Sequence, residues 1–189
     1  MNLIITDAAP QTNHVTRYAR RLASDEITYS IGKSTLGHVL VARSANGVCS
    51  ILIGSEAKEL KSDLATRFPE SNLVRNDRKL SDDLQKVLHF IETPAIGLDL
   101  ALDIHGTPFQ RRVWEELAKI PPGAIITYGA LATRIGLPKS VRAVAGACAA
   151  NAIALAIPCH RVVRNNGTLS GYRWGVERKR ALLEREAQA

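Results

Sequence analysis

The chain has 189 residues, 46% of them hydrophobic, enough to bury a core as one large domain or two small ones, and it carries a net charge of +7. No apolar run approaches the length of a membrane span, and Met1 to Arg21 lacks the basic-then-apolar order of a secretion signal, so a soluble, cytoplasmic protein without membrane contact is expected. Cys49, Cys148 and Cys159 are odd in number and widely spaced, which suits neither a disulfide framework nor a four-ligand zinc site and points to reduced thiols.

Charge is unevenly spread. From Thr107 onward there are 13 Lys and Arg against 5 Asp and Glu, a surplus of +8, whereas the preceding part sums to −1. A basic block beside a near-neutral one points to a polyanion, most often nucleic acid. A basic surface that only aids solubility is the plainer reading.

In chain order, positions 1–26 are polar and aperiodic and read as a tail. Ile27 to Ile31, His38 to Val41 and Val48 to Ile53 have β character, and Gly37 and the Asn46-Gly47 hairpin signal separate them, which predicts a three-stranded antiparallel meander. Ser55 to Phe68 follows as a helix with Leu60, Leu64 and Phe68 on one face and Ser55 as N-cap. Ser81 to Ile91 is a second, with Leu84, Val87, Leu88 and Ile91 inward. Thr93 to Gly97 punctuates the chain, and Leu98 to Ile104 offers a further strand. Cys49 is expected to pack in the core, and His14, His38, His89 and His105 are too scattered for a metal site. The composition shifts near Gly106, giving a tail at 1–26, an α/β domain at 27–105 and a C-terminal domain at 106–189.

Thr107-Pro108-Phe109-Gln110 is a helix start, with Thr as N-cap, Pro at the first helical position and Gln where a capping box needs it. Phe109, Val113, Trp114 and Leu117 face the core of a helix that reaches about Ile120. Thr127 caps a short helix from Tyr128 to Ile135, Gly136 to Lys139 turns the chain, and Ser140 to Ala150 forms another helix, together a helix-turn-helix. In the second helix only Arg142 could reach a base, while small residues such as Ala143 and Gly146 let the backbone lie close, which suits minor-groove docking with one Arg inserted. Tight internal packing is the alternative, and Val144 and Cys148 lie on a different stripe from Arg142.

Ile153 to Ile157 reads as an apolar strand leading into Pro158-Cys159-His160-Arg161-Val162. Cysteine is nucleophilic only as the thiolate, which a neighbouring imidazole or arginine favours, so Cys159 is a candidate nucleophile. A small buried hydrophobe is the ordinary reading of the same residue. Asn165-Asn166-Gly167 forms a turn. Leu169-Ser170-Gly171-Tyr172-Arg173-Trp174-Gly175 could wall a flat aromatic ligand or be a surface loop with aromatic anchors. Val176 to Ala187 closes the chain as a helix, with Leu182 and Leu183 inward and Arg178, Lys179, Arg180 and Arg185 as a solvated face.

The stretch from Gly106 to Glu186 resembles the O6-alkylguanine-DNA alkyltransferases, the methylated-DNA–protein-cysteine methyltransferases. The resemblance rests on Gly106-Thr107-Pro108-Phe109-Gln110, Thr127-Tyr128, Val141-Arg142-Ala143-Val144, Ala150-Asn151, Ile157-Pro158-Cys159-His160-Arg161-Val162-Val163 and Gly171-Tyr172-Arg173-Trp174-Gly175. Within the family it is most similar to the C-terminal half of the bacterial adaptive-response (Ada) regulators. The N-terminal part resembles the family's leading domain more loosely, through Leu36 to Gly54. The implied fold is α/β: a ribonuclease-H-like N-terminal domain with a small antiparallel sheet, then a mostly helical, winged-helix-like domain holding the helix-turn-helix.

The resemblance implies DNA repair by direct reversal, with no cofactor, by a monomer acting on double-stranded DNA that contains O6-alkylguanine, with O4-alkylthymine as a second candidate substrate. Cys159 would take the alkyl group in a single displacement and keep it as a thioether, so each molecule reacts once. His160 would accept the thiol proton through a water, with Glu186 orienting it, Asn151 holding the turn before the cysteine and Tyr128 donating to the departing guanine ring. Arg142 would fill the duplex after base flipping, with Thr127, Ala143 and Gly146 also on the DNA, and Tyr128, Val162, Tyr172 and Arg173 would line the pocket. Some relatives carry a structural zinc in the leading domain, held by Cys and His, and Cys49 and the scattered His residues do not rebuild that set, so no metal is expected. The regulators' upstream zinc-bound cysteine and transcription module have no counterpart in the sequence, so transcriptional control is not expected of this chain alone, with a fragment of a longer protein as the open alternative. The alternative is a non-enzymatic DNA-binding module that recognises lesions with Cys159 inert.

Overall fold

The computed structural model describes residues 26–169 and 171–188. The expected tail, apart from Glu26, lies outside them. The meander forms as β1 (Glu26–Ser34), β2 (Gly37–Arg43) and β3 (Val48–Gly54), with β1 antiparallel to β2 from Thr28↔Arg43 to Ser34↔Gly37. Gly37 has φ +110°, and a Cβ there would strike the Gly54 carbonyl, so the tight reversal between β1 and β2 requires glycine.

Helix α1 (Ala57–Arg67) buries Leu60 and Leu64. Its N-cap is Glu56, without a side-chain cap, rather than Ser55. The Ser55 hydroxyl instead accepts from Arg178 Nη2 at 3.0 Å. A short strand missed from the sequence, β4 (Asn72–Arg75), pairs parallel with β1, so the sheet has order β3-β2-β1-β4 and is mixed rather than antiparallel throughout. With four residues and only Leu73 and Val74 half-buried, β4 shows no usable alternation. Helix α2 (Ser81–Glu92) buries Leu84, Val87, Phe90 and Ile91, with Leu88 packed against the core.

Leu98 to Ile104 is not a strand. It runs beside β3 and makes one parallel bridge, Val48 N to Ala101 O at 2.8 Å and Asp103 N to Val48 O at 2.9 Å. The same edge of β3 takes a second segment further on, with Ile51 N donating to Ala152 O at 2.9 Å and Ala154 N to Ile51 O at 3.0 Å. The apolar core is continuous across position 106.

Helix α3 (Pro108–Ala118) starts with the expected capping box between Thr107 and Gln110, and buries Val113, Trp114 and Leu117. Trp114 Nε1 donates to Ala147 O at 2.8 Å, which ties α3 to the helix carrying Arg142. β5 (Ile126–Thr127) leads into α4 (Tyr128–Arg134), whose N-cap is Thr127. A left-handed Gly136 turns the chain into α5 (Val141–Ala150). β6 (Val162–Val163) pairs parallel with β5, and α6 (Val176–Glu186) is the last helix.

The expected solvated face of α6 is largely wrong. Lys179 is wholly buried. Arg178 donates to Leu36 O and Trp174 O, both at 2.7 Å, and Arg185 to Ile91 O at 2.8 Å and Thr35 Oγ1 at 2.7 Å. Long cationic side chains bury their stems and carry their heads to carbonyls that a shorter residue would leave unmet. Of the four, Arg180 alone is exposed.

Candidate active site

Asn151, the C-cap of α5, organises the chain around Cys159. Its Oδ1 accepts from Ile153 N at 2.9 Å, and its Nδ2 donates to Ile157 O at 2.8 Å and lies 3.3 Å from Cys159 Sγ. The segment between is not the expected strand but a tight turn, with Ile157 N bonded to Ile153 O at 3.0 Å and Leu155 at φ +68°. All of Ile153 to Ile157 is buried, so no alternation in the sequence could separate strand from turn. A non-glycine residue in that conformation costs about 1–3 kcal/mol, and the bonds to Asn151 hold it there.

Cys159 opens a single 3-10 turn, Cys159–Arg161, and is 5% exposed. Burial pushes its thiol up to about 11, against the opposing pull of the Asn151 amide and the Lys179 ammonium. The thiol is therefore neutral at physiological pH and needs a base to become a nucleophile. Burial lowers the pKa of His160, outweighing the raising effect of Glu186, so the imidazole is neutral and can accept a proton.

Glu186 accepts from His160 Nε2 at 2.8 Å and from Arg161 Nη2 at 2.8 Å through Oε1, and from Arg161 Nε at 2.9 Å through Oε2. Burial raises its pKa, but the bonds from His160 and Arg161 prevail and hold it at about 2. With the carboxylate on Nε2, the neutral imidazole carries its proton there and leaves Nδ1 as the lone pair. Among the described residues His160 Nδ1 has no hydrogen-bond partner.

A hollow of about 480 Å³ brings together Tyr128, Arg142, Tyr172 and Arg173. Tyr172 packs edge-on against His160 and Trp174, with ring centroids 6.4 and 5.1 Å apart. Burial and the nearby thiols push Tyr128 up to about 12, so its phenol stays protonated and can donate. Val162, expected to line the pocket, is not among the residues that line this hollow; it is buried in β6, where its carbonyl accepts from Lys179 Nζ. Thr127 is half-buried, its hydroxyl engaged in capping by accepting from Ala130 N at 3.1 Å. On α5, Arg142, Ala143, Gly146 and Ala149 are exposed while Val144, Ala147 and Cys148 are buried, the two stripes expected.

Two residues of the site were missed. Arg161 fixes Glu186 and also donates to Ile120 O. Lys179 places a cation near two buried thiols. The spacing held a signal: Lys179, Leu182 and Glu186 stand at i, i+3 and i+7, which puts them on one helical face.

Fold and site together define a cysteine protein whose buried thiol is tied by an asparagine to the second of two short helices and is followed by an imidazole–carboxylate–guanidinium chain. Residues 108–188 match the family described as "6-O-methylguanine DNA methyltransferase, DNA binding domain". The chain is 38% identical over 168 residues to the methylated-DNA–protein-cysteine methyltransferase of Candida albicans, covering 84% of this chain and 95% of that one. It is similar in structure to Mycobacterium tuberculosis OGT in complex with DNA, with a TM-score of 0.73 and 31% identity over 85% of this chain and 93% of that one. The chain belongs to the methylated-DNA–protein-cysteine methyltransferase family. It is also 48% identical over 162 residues to the Escherichia coli bifunctional transcriptional activator and DNA repair enzyme Ada, covering 86% of this chain but 46% of that protein. The chain spans about half the length of the Ada proteins it matches, 46% and 52%.

Proposed function

We propose that this protein repairs alkylated DNA by direct reversal, moving the alkyl group of O6-alkylguanine onto Cys159 in one step. The observation that carries this reading is a buried neutral thiol followed by His160, whose Nε2 is committed to Glu186 and whose Nδ1 is left to accept a proton.

In this reaction His160 Nδ1 takes the Cys159 proton through a water, and Sγ attacks the alkyl carbon. The carbon–sulfur bond forms as the carbon–O6 bond breaks, with the electron pair passing to the guanine. The imidazolium so formed faces the Glu186 carboxylate, which favours the charged state. Tyr128 donates to a ring nitrogen of the departing base. Lys179 and Asn151 favour the developing thiolate. A thioether has no easy route back to thiol, so the protein is consumed one molecule per lesion.

The α5 stripe supports a DNA face. A Cβ on Gly146 would meet nothing within 4 Å, so internal packing does not require glycine there. An exposed glycine within a helix costs about 1 kcal/mol relative to alanine, which a close external approach would explain. Arg142, exposed on the same stripe and lining the hollow, would fill the duplex when the target nucleotide rotates out of the stack. Thr127 and Ala143 belong to the same contact, and Tyr128, Tyr172, Arg173 and the backbone near Val162 to the pocket. At finer grain we read 27–105 as a ribonuclease-H-like domain and 106–189 as a winged-helix-like one, in a cytoplasmic protein that acts as a monomer.

Intact mass measurement after mixing with duplex DNA carrying one O6-methylguanine tests this. A gain of one methylene on the Cys159 peptide, stopping at one per molecule, is expected. Unmodified protein bound to DNA would replace this reading with lesion recognition by an inert Cys159.

A further inference from the structure

A second cavity, of about 270 Å³, is lined in part by Asn151 and shares no lining residue with the Tyr128–Arg142–Tyr172 hollow. Its floor is apolar, with Phe68, Trp114, Ile153 and Ile157, and Arg67, at the last position of α1, stands in its wall. The Arg67 side chain is 14% exposed, and its Nε and Nη2 are buried with no hydrogen-bond partner among the described residues. Asp63 Oδ1 is 3.3 Å from Arg67 Nε, but it takes its hydrogen bond from Arg173 Nη2 at 2.7 Å.

One carboxylate thus serves two guanidiniums, so the charge of Arg67 in the cavity wall is only partly balanced. Withdrawing guanidinium donors from water without giving them acceptors is costly, and an anion in the cavity would supply the acceptors. Gln110 also lines the cavity. Its Oε1 accepts from Thr107 N at 2.9 Å, which leaves its amide nitrogen as a further donor. A fully hydrated inorganic anion would gain nothing from the Phe68, Trp114 and Ile157 surface, whereas an organic acid would use both parts of the cavity.

We propose that this cavity binds a small monocarboxylate with an apolar body, its carboxylate on Arg67 and its hydrocarbon against Phe68, Trp114 and Ile157. Asn151 is part of the wall and its Nδ2 holds Cys159 Sγ, so occupancy reaches the thiol. That last consequence rests on the alkyl-transfer reading; binding itself does not.

The test is a fluorine NMR titration of the full chain, without DNA, with 4-fluorobenzoate as probe. Saturable binding is expected, displaced by benzoate but not by the isosteric, neutral benzamide or by inorganic phosphate. Arg67→Gln should raise the dissociation constant by about tenfold or more, the loss of a charge-assisted hydrogen bond. Absence of saturable binding, equal displacement by benzamide, or equal displacement by phosphate each overturns the proposal, the first by showing that water alone meets Arg67. If Arg67→Gln does not fold, the displacement series on the unaltered protein decides. Saturating benzoate should then change the single-turnover rate on O6-methylguanine DNA by about twofold or more. An unchanged rate with binding intact would sever the cavity from the thiol while leaving repair standing.

Discussion

Asp63 on α1 accepts a 2.7 Å hydrogen bond from Arg173, so a helix from the first half of the chain holds the loop that walls the Tyr128–Arg142–Tyr172 hollow from 110 residues away. Arg173 is exposed and Asp63 partly so, and an ion pair of that kind contributes about 0.2–1 kcal/mol. We predict that Asp63→Asn, which also takes away the carboxylate 3.3 Å from the buried Arg67 Nε, lowers the urea midpoint and slows alkyl transfer by no more than about fivefold, the factor that 1 kcal/mol represents. Single-turnover kinetics beside a denaturation curve measure both. A rate identical to that of the unaltered protein would mean that the loop is positioned without Asp63.

Glu186 carries the acid limb of stability. Its carboxyl is held at about 2 against an ordinary 4.5, so its contribution is complete above 4.5 and is lost as pH falls toward 2. Glu186→Gln removes the partner of a buried arginine and should cost about 3–5 kcal/mol at neutral pH. It should also flatten the stability slope between those two pH values. Urea unfolding across a pH series reads both effects, and an unaltered slope would assign the acid limb to another carboxylate.

Lys179 is predicted to act on Cys159 through charge. Removing it by Lys179→Met takes away a cation that lowers the thiol's pKa, so the midpoint for Cys159 modification by a small haloacetamide should move upward from about 11. The single-turnover rate should fall with it. A midpoint that stays in place, with the rate reduced, would make Lys179 a prop for the Val162 carbonyl alone.

Gly146 is predicted to separate folding from DNA binding. Because a Cβ there meets nothing in the protein, Gly146→Ala should stabilise the fold by about 1 kcal/mol while weakening affinity for duplex DNA. Thermal melting and a fluorescence binding titration give opposite signs if a backbone approaches α5. Unchanged DNA affinity would move the interface off this stripe.

Elements with a local cause were legible in the sequence. The capping box at Thr107 and Gln110, the Thr127 cap and the two stripes of α5 depend on neighbours within one or two turns, and each is found where it was expected. What failed depends on distant partners. β4 exists because β1 offers it a parallel edge, the turn at Leu155 because Asn151 bonds around it, and the burial of Lys179 because Val162 O accepts its hydrogen bond. Cys159 and His160 stood out as an adjacent pair and Glu186 entered only through the family resemblance, whereas Arg161 was visible only once its guanidinium lay on the Glu186 carboxylate.

The two segments hydrogen-bonded along β3 also bear on how the protein behaves in a crowded solution. An open strand edge is a template on which a second chain can add, the usual start of sheet-mediated aggregation. Here the β3 edge is occupied at Val48 and Ile51, and the opposite edge is β4, four residues long and bearing Arg75. Neither offers a long apolar ladder, so molecules that have met their neighbours at high concentration should part again rather than polymerise.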